Sequence, residues 1–430
     1  MTETNRKLLD FIDQSPTAWH ACANLAERLL HENYQELLET DDWALQPGGK
    51  YFLRRNGSSL VAFRIPQGEF SGFLMMAAHS DSPCFKLRGK PDALSAGRYT
   101  RLSVERYGGM LCAPWLDRPL SVAGRVAVRN EGRLLTQLIN IDRDLLIIPN
   151  LAIHMDRKAN EGKAYDLKAD MLPLLGSEKA AGRMEAILAE AAGTVPENVV
   201  SADLCLYPRT PGTVFGADEE FIAAPRLDDL QSVFGCFEGF LAAGEGKNAP
   251  LLCVFDNEEV GSSTRQGADS DLLAETMRRI CAALGRNLDR STAASFMVSA
   301  DNAHAVHPNH PEYADSQDRP RMNGGIVIKH NANQKYTTDA VSGAVFAEVC
   351  ARAGVPVQHY SNRPDLPGGS TLGNISTAHV SVPTVDIGLA QLAMHSCYET
   401  AGSEDTEYLI RAARAYYECG YCQTAEGIEL

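Results

Sequence analysis

Two short apolar runs constrain this chain more than any other feature. Phe73 to Ala78 and Leu251 to Phe255 contain no charged residue and are too short for an ordinary helix. Each therefore reads as a strand buried on both faces, the signature of a parallel sheet covered by helices. Both runs stop abruptly in polar residues, His79-Ser80-Asp81-Ser82-Pro83 after the first and Asp256-Asn257-Glu258-Glu259 after the second. The carboxyl ends of strands are where open α/β sheets build their sites.

The rest of the chain supports an α/β class with an interruption. Residues 1–45 read as helical, with Leu8, Leu9, Phe11 and Ile12, then Trp19, Cys22, Leu25, Leu29 and Leu30 at helical spacing. Tyr51 to Asn56 and Ser59 to Ile65 are expected as strands around Asn56-Gly57. From about 87 to 221 the pattern changes to short alternating strands, including a hairpin around Asn130-Glu131-Gly132, with one helix over Glu178 to Ala192. After Pro225 the rhythm returns: helices over Leu227–Ala243, Leu272–Leu284, Ser342–Ala353 and Glu404–Glu418 alternate with short strands. The expected organisation is an α/β part made of 1–86 and 222–430, holding a β-rich insert of 87–221.

Composition excludes several classes. The 430 residues leave room for two or three domains at about 100–200 residues each. A net charge of −15 disfavours a nucleic-acid binder. No apolar run approaches the roughly 18–20 residues of a membrane helix, and Met1 to Asp13 is too charged for a signal peptide. The 11 cysteines are odd in number and scattered through apolar segments, which points to reduced thiols and a cytoplasmic location. Cys419-Gly420-Tyr421-Cys422 has redox-like spacing, but without a second pair or a preceding strand it carries little.

Polar clusters fall at the ends of the expected elements: His79-x-Asp81, Arg226-x-Asp228-Asp229, Asp256-x-Glu258-Glu259, Asp301-Asn302 and His395-Ser396. Together they offer imidazole and carboxylate, the ligands of a catalytic zinc site that keeps a position open for water. Two histidines and three carboxylates suffice for a pair of metals if one carboxylate bridges, the arrangement that clamps both oxygens of a hydrolysis. In His79-x-Asp81 the carboxylate can accept the second ring N–H and fix the tautomer. In Glu258-Glu259 one carboxylate can ligate while its neighbour moves a proton.

These residues resemble a known family. Ala78-His79-Ser80-Asp81-Ser82-Pro83, Trp115-Leu116-Asp117-Arg118, Asn150 to His154, Pro225 to Asp228, Phe255 to Ser262, Ser299 to Asn309, Gly369-Ser370-Thr371-Leu372-Gly373 and Gln391 to Ser396 are similar in order and content to the aspartyl aminopeptidases. The resemblance implies a three-layer α/β/α zinc-peptidase domain with the insert as a lid and dimerisation domain. It implies two divalent metal ions per subunit, zinc first, although cobalt or manganese suits the same ligands. His79 and Asp301 would hold one ion, Glu259 and His395 the other, and Asp228 would bridge. Glu258 would activate a metal-bridging water as general base and acid, with Asp81 supporting the catalytic set. Lys329 and Tyr336 would meet an acidic N-terminal side chain, and His304 the scissile carbonyl. His154 would reach a neighbouring subunit's site within a tetrahedral dodecamer built from dimers. The implied partners are peptides and further copies of the chain, with no nucleic acid and no membrane.

One departure concerns specificity: Tyr398 stands where the family pattern leads us to expect Arg. His304, His307 and His310 share a three-residue spacing, but Pro308 and Pro311 interrupt any helix, so a loop is expected there. Two other readings stay open at this stage. One is a related dinuclear aminopeptidase or deacylase acting on neutral N-terminal residues. The other is a catalytically idle scaffold, which Glu258 and the full ligand set oppose.

Overall fold

A computed structural model describes residues 1–95, 97–366 and 368–430, with Lys90 to Ser95 described by backbone alone. The chain packs as two units. The first is formed by 1–81, 212–394 and 399–430, and the second by 82–211 with 395–398. Against expected change-overs near 87 and 221, packing changes over at 82 and 212.

The first unit is built on a nine-stranded sheet. Its strands in chain order are β1 (Gln35–Glu36), β2 (Lys50–Arg55), β3 (Ser59–Arg64), β4 (Phe73–His79), β5 (Ala249–Phe255), β6 (Phe296–Ala300), β7 (Ile326–His330), β8 (Val357–Ser361) and β9 (Thr384–Gly388). Across the sheet they run β1-β2-β3-β5-β4-β6-β9-β7-β8. The two runs that opened the sequence reading lie side by side at its centre. β4 pairs in parallel with β5 and β6, and Phe255 is opposite His79. Every residue of β4 and β5 is buried, as strands covered on both faces must be. β2 and β3 form a hairpin at Asn56-Gly57, where both residues have positive φ (58° and 68°), the geometry Asn-Gly supplies in a tight turn.

Helices cover both faces, giving three layers. On one face, Ala18–His31, Leu227–Ala242, Ala340–Arg352 and Asp405–Glu418 pack onto even-numbered β4 positions such as Leu74 and Met76. On the other, Leu272–Ala283 and Leu372–Ser376 pack onto Phe73, Met75 and Ala77. That division follows from the period of two along a strand. The reading of 1–45 as helical is corrected here: helices span Glu3–Gln14 and Ala18–His31, after which β1 and an extended stretch follow. Leu30, inside the second helix, is exposed, whereas Trp43 and Leu45 are buried outside any helix. A smaller sheet escaped the sequence reading. It consists of Thr213–Phe215, Phe221–Ala224, Ala303–His304, Ala390–Leu392 and Glu399–Gly402.

The second unit holds a six-stranded antiparallel sheet with the helix Arg183–Ala191. Its core gathers Phe85, Trp115, Val122, Ile148, Met171 and Met184. The expected hairpin pairs Arg129 with Leu134, and Glu131 and Gly132 take the positive φ its turn requires. His395–Tyr398 belongs to this unit through the His395 carbonyl accepting from Leu111 N–H (3.1 Å) and Tyr398 OH donating to the Pro211 carbonyl (2.7 Å). No helix among the described residues is long and apolar enough to cross a membrane.

Candidate metal centre

Parallel strands put their carboxyl ends on one edge, so the residues that follow β4, β5 and β6 are brought together by the sheet itself. His79 ends β4, Glu258 and Glu259 follow β5 in a single helical turn, and Asp301 follows β6. Asp228 comes from the start of the helix Leu227–Ala242, whose first turn is not helical: Asp228 and Asp229 have φ/ψ of −84°/106° and −121°/22°. That irregular start turns both carboxylates into the cluster instead of along the helix.

One ligand atom from each of His79, Asp228, Asp229 and Asp301 falls within 4.8 Å of the others, and all four residues are buried. His79 forms a second such group with Glu258 and Glu259. His79 Nδ1 lies 3.0 Å from the backbone carbonyl of Asp81 and Nε2 lies 3.4 Å from Asp228 Oδ1. A carbonyl can only accept, so Nδ1 carries a hydrogen, and Nε2 is the ring nitrogen on the Asp228 side, the one left to ligate a metal. The expected tautomer is therefore set by Asp81, but by its carbonyl, since its carboxylate stands 3.5 Å from Nδ1. The carboxylate accepts instead from the backbone N–H groups of Glu258 (3.1 Å) and Glu259 (3.2 Å). It thereby holds the turn that carries both glutamates.

Sequence reasoning missed three supporting residues. Asp229 accepts from His79 N–H (3.2 Å) and shares the buried cluster. Glu399, buried, accepts from Asp228 N–H (2.9 Å) and so braces the non-helical turn. Asn302 donates to the Leu227 carbonyl (3.1 Å) and to Gln391 (2.9 Å), tying the segment after β6 to the start of the Asp228 helix. Asp229 was visible as the second half of an Asp-Asp pair. The partners of Glu399 and Asn302 lie too far along the chain for spacing to reveal.

The donor set fits a divalent cation. Burial first, then the charges of Asp301 and Asp228, push the Asp229 carboxyl well up. Burial and Asp228 do the same to Glu259. Burial, with Asp301, Asp81 and Asp228, pushes Glu258 up to about 8 against the pull of His79. At His79 burial works against a proton, yet Asp228, Asp229 and Asp81 outweigh it and hold the imidazole pKa well above its usual range. Crowded buried carboxylates that raise one another's pKa are missing positive charge, which a metal ion supplies.

The remaining expected residues are placed as follows. Lys329, in β7 and 3% exposed, has Nζ 3.6 Å from Asp301 Oδ1 and 5.4 Å from the centre of the Tyr336 ring. Burial alone would draw its pKa down, but Asp301, Tyr336 and Asp386 more than reverse that, so the ammonium is charged. Tyr336 is buried and packs edge-on to Tyr360, with ring centres 6.3 Å apart. His304 is exposed at the end of its short strand, its ring 6.1 Å from that of Tyr360. His307 and His310 lie in a loop, as the prolines required. Asp256 accepts from the N–H of Asn257 (2.7 Å). His154 is exposed in a turn of the second unit, and His395 belongs to the second unit's 395–398 strip.

Comparison with known proteins gives concordant matches. Residues 11–417 match the family model described as aminopeptidase I zinc metalloprotease (M18). The chain is 42% identical over 423 residues to a probable M18 family aminopeptidase 2 of Clostridium novyi, covering 96% of this chain and 98% of the relative. Among solved structures it is similar to a chain in the cryo-EM structure of the Ape4 and Nbr1 complex, with 36% identity and a TM-score of 0.92 over 96% of this chain and 85% of that one. It is also similar to the S. cerevisiae mApe1 dodecamer structure, with 28% identity and a TM-score of 0.86 over 96% of each chain.

Proposed function

The chain belongs to the aminopeptidase I zinc metalloprotease (M18) family, and from that premise we propose that it removes Asp or Glu from the amino terminus of peptides. The single observation behind this specificity is Lys329, a charged and fully buried ammonium beside the metal cluster. A buried cation at a hydrolytic site is costly unless an anion meets it, and an acidic side chain is such an anion. Tyr336, next to it, would supply the wall of that pocket.

We assign His79 and Asp301 to one metal position, Glu259 and His395 to a second, and Asp228 to both, with Asp229 as a further buried carboxylate beside the first. When bound, zinc polarises the scissile carbonyl and lowers the pKa of water. Glu258 takes a proton from the attacking water as its oxygen bonds to the first peptide carbonyl carbon. It then delivers that proton to the amine as the C–N bond breaks. Asp81 keeps Glu258 in place through its backbone N–H. His304 would donate toward the developing oxyanion. His154 would act in a neighbouring subunit, in a homo-oligomer of the kind named for mApe1. A cytosolic location agrees with eleven cysteines none of which is joined in a disulfide.

A second reading has one observation in its favour. Lys329 already faces Asp301, so its charge is partly balanced before substrate arrives. That would suit neutral N-terminal residues. Release of the first residue from matched Asp-, Glu- and Leu-peptides, with a chelator control, separates the two. Chelator-sensitive preference for Asp or Glu is expected, and preference for Leu would move the protein to the second reading.

A further inference from the structure

One carboxylate outside the metal cluster has no role in the mechanism above, yet two segments converge on it. Asp386 lies in β9 and is fully buried. Its Oδ2 accepts from Thr337 N–H (2.5 Å) and from the Thr337 hydroxyl (2.6 Å). Its Oδ1 accepts from the Thr371 hydroxyl (2.7 Å). Its backbone N–H donates to the Thr338 hydroxyl (2.9 Å). Gly373 comes so close that a Cβ there would stand 2.6 Å from Oδ1. The motif Gly369-Ser370-Thr371-Leu372-Gly373 thus has a physical reason for two of its residues: a hydroxyl to reach this carboxylate and no side chain where the backbone passes it.

The other segment held is the one that carries Tyr336. β7 and β9 are antiparallel, with Val327 opposite Gly388 and Ile328 opposite Ile387. Continuing that register brings Lys329 opposite Asp386, on the same face of the sheet. Tyr336 is therefore held by the strapping of Thr337 and Thr338, beside the strand that carries Lys329.

We propose that Asp386 is a positioning residue for substrate specificity, clamping the Tyr336 segment and the Thr371 loop so that Lys329 and Tyr336 form one acid-binding pocket. The proposal rests on the reading of Lys329 and Tyr336 given above. The clamp acts through geometry; Asp386 also helps to hold Lys329 charged, and Asp386→Asn, which loses the charge and keeps the hydrogen bonds, separates the two effects. Asp386→Ala removes every side-chain bond of the clamp. Asp386→Asn keeps an oxygen for Thr337 and can donate its amide to Thr371.

The test is KM and kcat for the wild type and both variants on matched Asp- and Leu-peptides, with zinc content measured on each preparation. For Asp386→Ala the expected result is a rise of about tenfold or more in KM for the Asp-peptide, from the loss of buried hydrogen bonds. The Leu-peptide constants and zinc content should stay near wild type, and Asp386→Asn should restore most of the preference. A merely structural role would lower both substrates together. Unchanged preference in Asp386→Ala, or equal loss in Asp386→Asn, overturns the clamp. If Asp386→Ala does not fold, Thr337→Val decides: a severalfold loss of preference supports the clamp, and none removes it. A wild type without acidic preference would sink the reading beneath the proposal, and that failure is visible in the wild-type profile alone.

Discussion

Replacing Lys329 by Met tests the acidic pocket most directly, because the structure sets the size of the effect. The ammonium and Asp301 Oδ1 are 3.6 Å apart and buried. At an effective dielectric of about 20, unit charges at that distance attract by roughly 4–5 kcal/mol. A substrate carboxylate reaching the same ammonium shares it with Asp301, so about 3 kcal/mol is a reasonable fraction, equivalent to about two orders of magnitude. Met keeps the length and apolar stem of Lys, so packing against Tyr336 is preserved. The expected outcome is a fall of about a hundredfold in kcat/KM for an Asp-peptide, with the Leu-peptide unchanged or improved. The assay is steady-state kinetics on the matched pair, with zinc quantified because Asp301 is also a proposed ligand. Equal loss on both substrates with full zinc would mean that Lys329 serves the metal ligand and not the substrate, and the argument from a buried cation would be wrong.

Three further outcomes follow from the geometry. Glu258→Gln should keep its zinc while kcat falls by about 10²–10⁴, since only proton transfer is removed; near-normal turnover would take Glu258 out of the mechanism. Asp228→Ala should bind less metal, read by elemental analysis after dialysis, and a full complement would refute its bridging role. His20, whose Nδ1 pairs with the Thr17 hydroxyl at 2.8 Å, has its pKa drawn down from 6.5 to about 4 by burial and then by Arg226. Its neutral form belongs to the fold, so the stability it contributes is complete above about pH 6.5 and is lost as pH falls through about 4. The difference amounts to about 3 kcal/mol. His20→Gln should therefore narrow the drop in Tm between those limits; an unchanged drop would place the acid sensitivity elsewhere.

What could be read from the sequence was decided by length and locality. β4 and β5 announced themselves because a strand buried on both faces has no polar residue to blur it, and their polar endings marked the edge where the cluster forms. The strands of the smaller sheet, such as Ala303–His304 and Ala390–Leu392, are too short to show alternation, so that sheet stayed hidden. The helical reading of 1–45 ran past His31, into β1 and an extended stretch where Trp43 and Leu45 are buried without helical spacing to announce it. Among site residues, those with a distinctive neighbour were visible: His79 before Asp81, Glu258 beside Glu259. Glu399 looked like any surface acid, since its partner at Asp228 lies 171 positions away. Asp386 was missed for the opposite reason. Inside an apolar strand it resembled an interruption, when its hydrogen-bonding partners come from two loops.

The strand order also governs how the molecule is made. Within the sheet β4 pairs with β5 and β6, both of which come late in the chain. Phe255, whose carbonyl accepts from Ser80, is 175 positions downstream. At about 5–20 residues per second, a ribosome needs roughly 10–45 s to supply those neighbours. During that interval an uncharged strand waits with both edges open, the condition under which nascent chains stick to one another or are held by chaperones. The carboxylates proposed as its metal ligands, Asp228, Glu259 and Asp301, have not yet been synthesised when His79 emerges. Metal loading is therefore a late event in biogenesis, and slower translation of the insert would lengthen the vulnerable period without altering the finished enzyme.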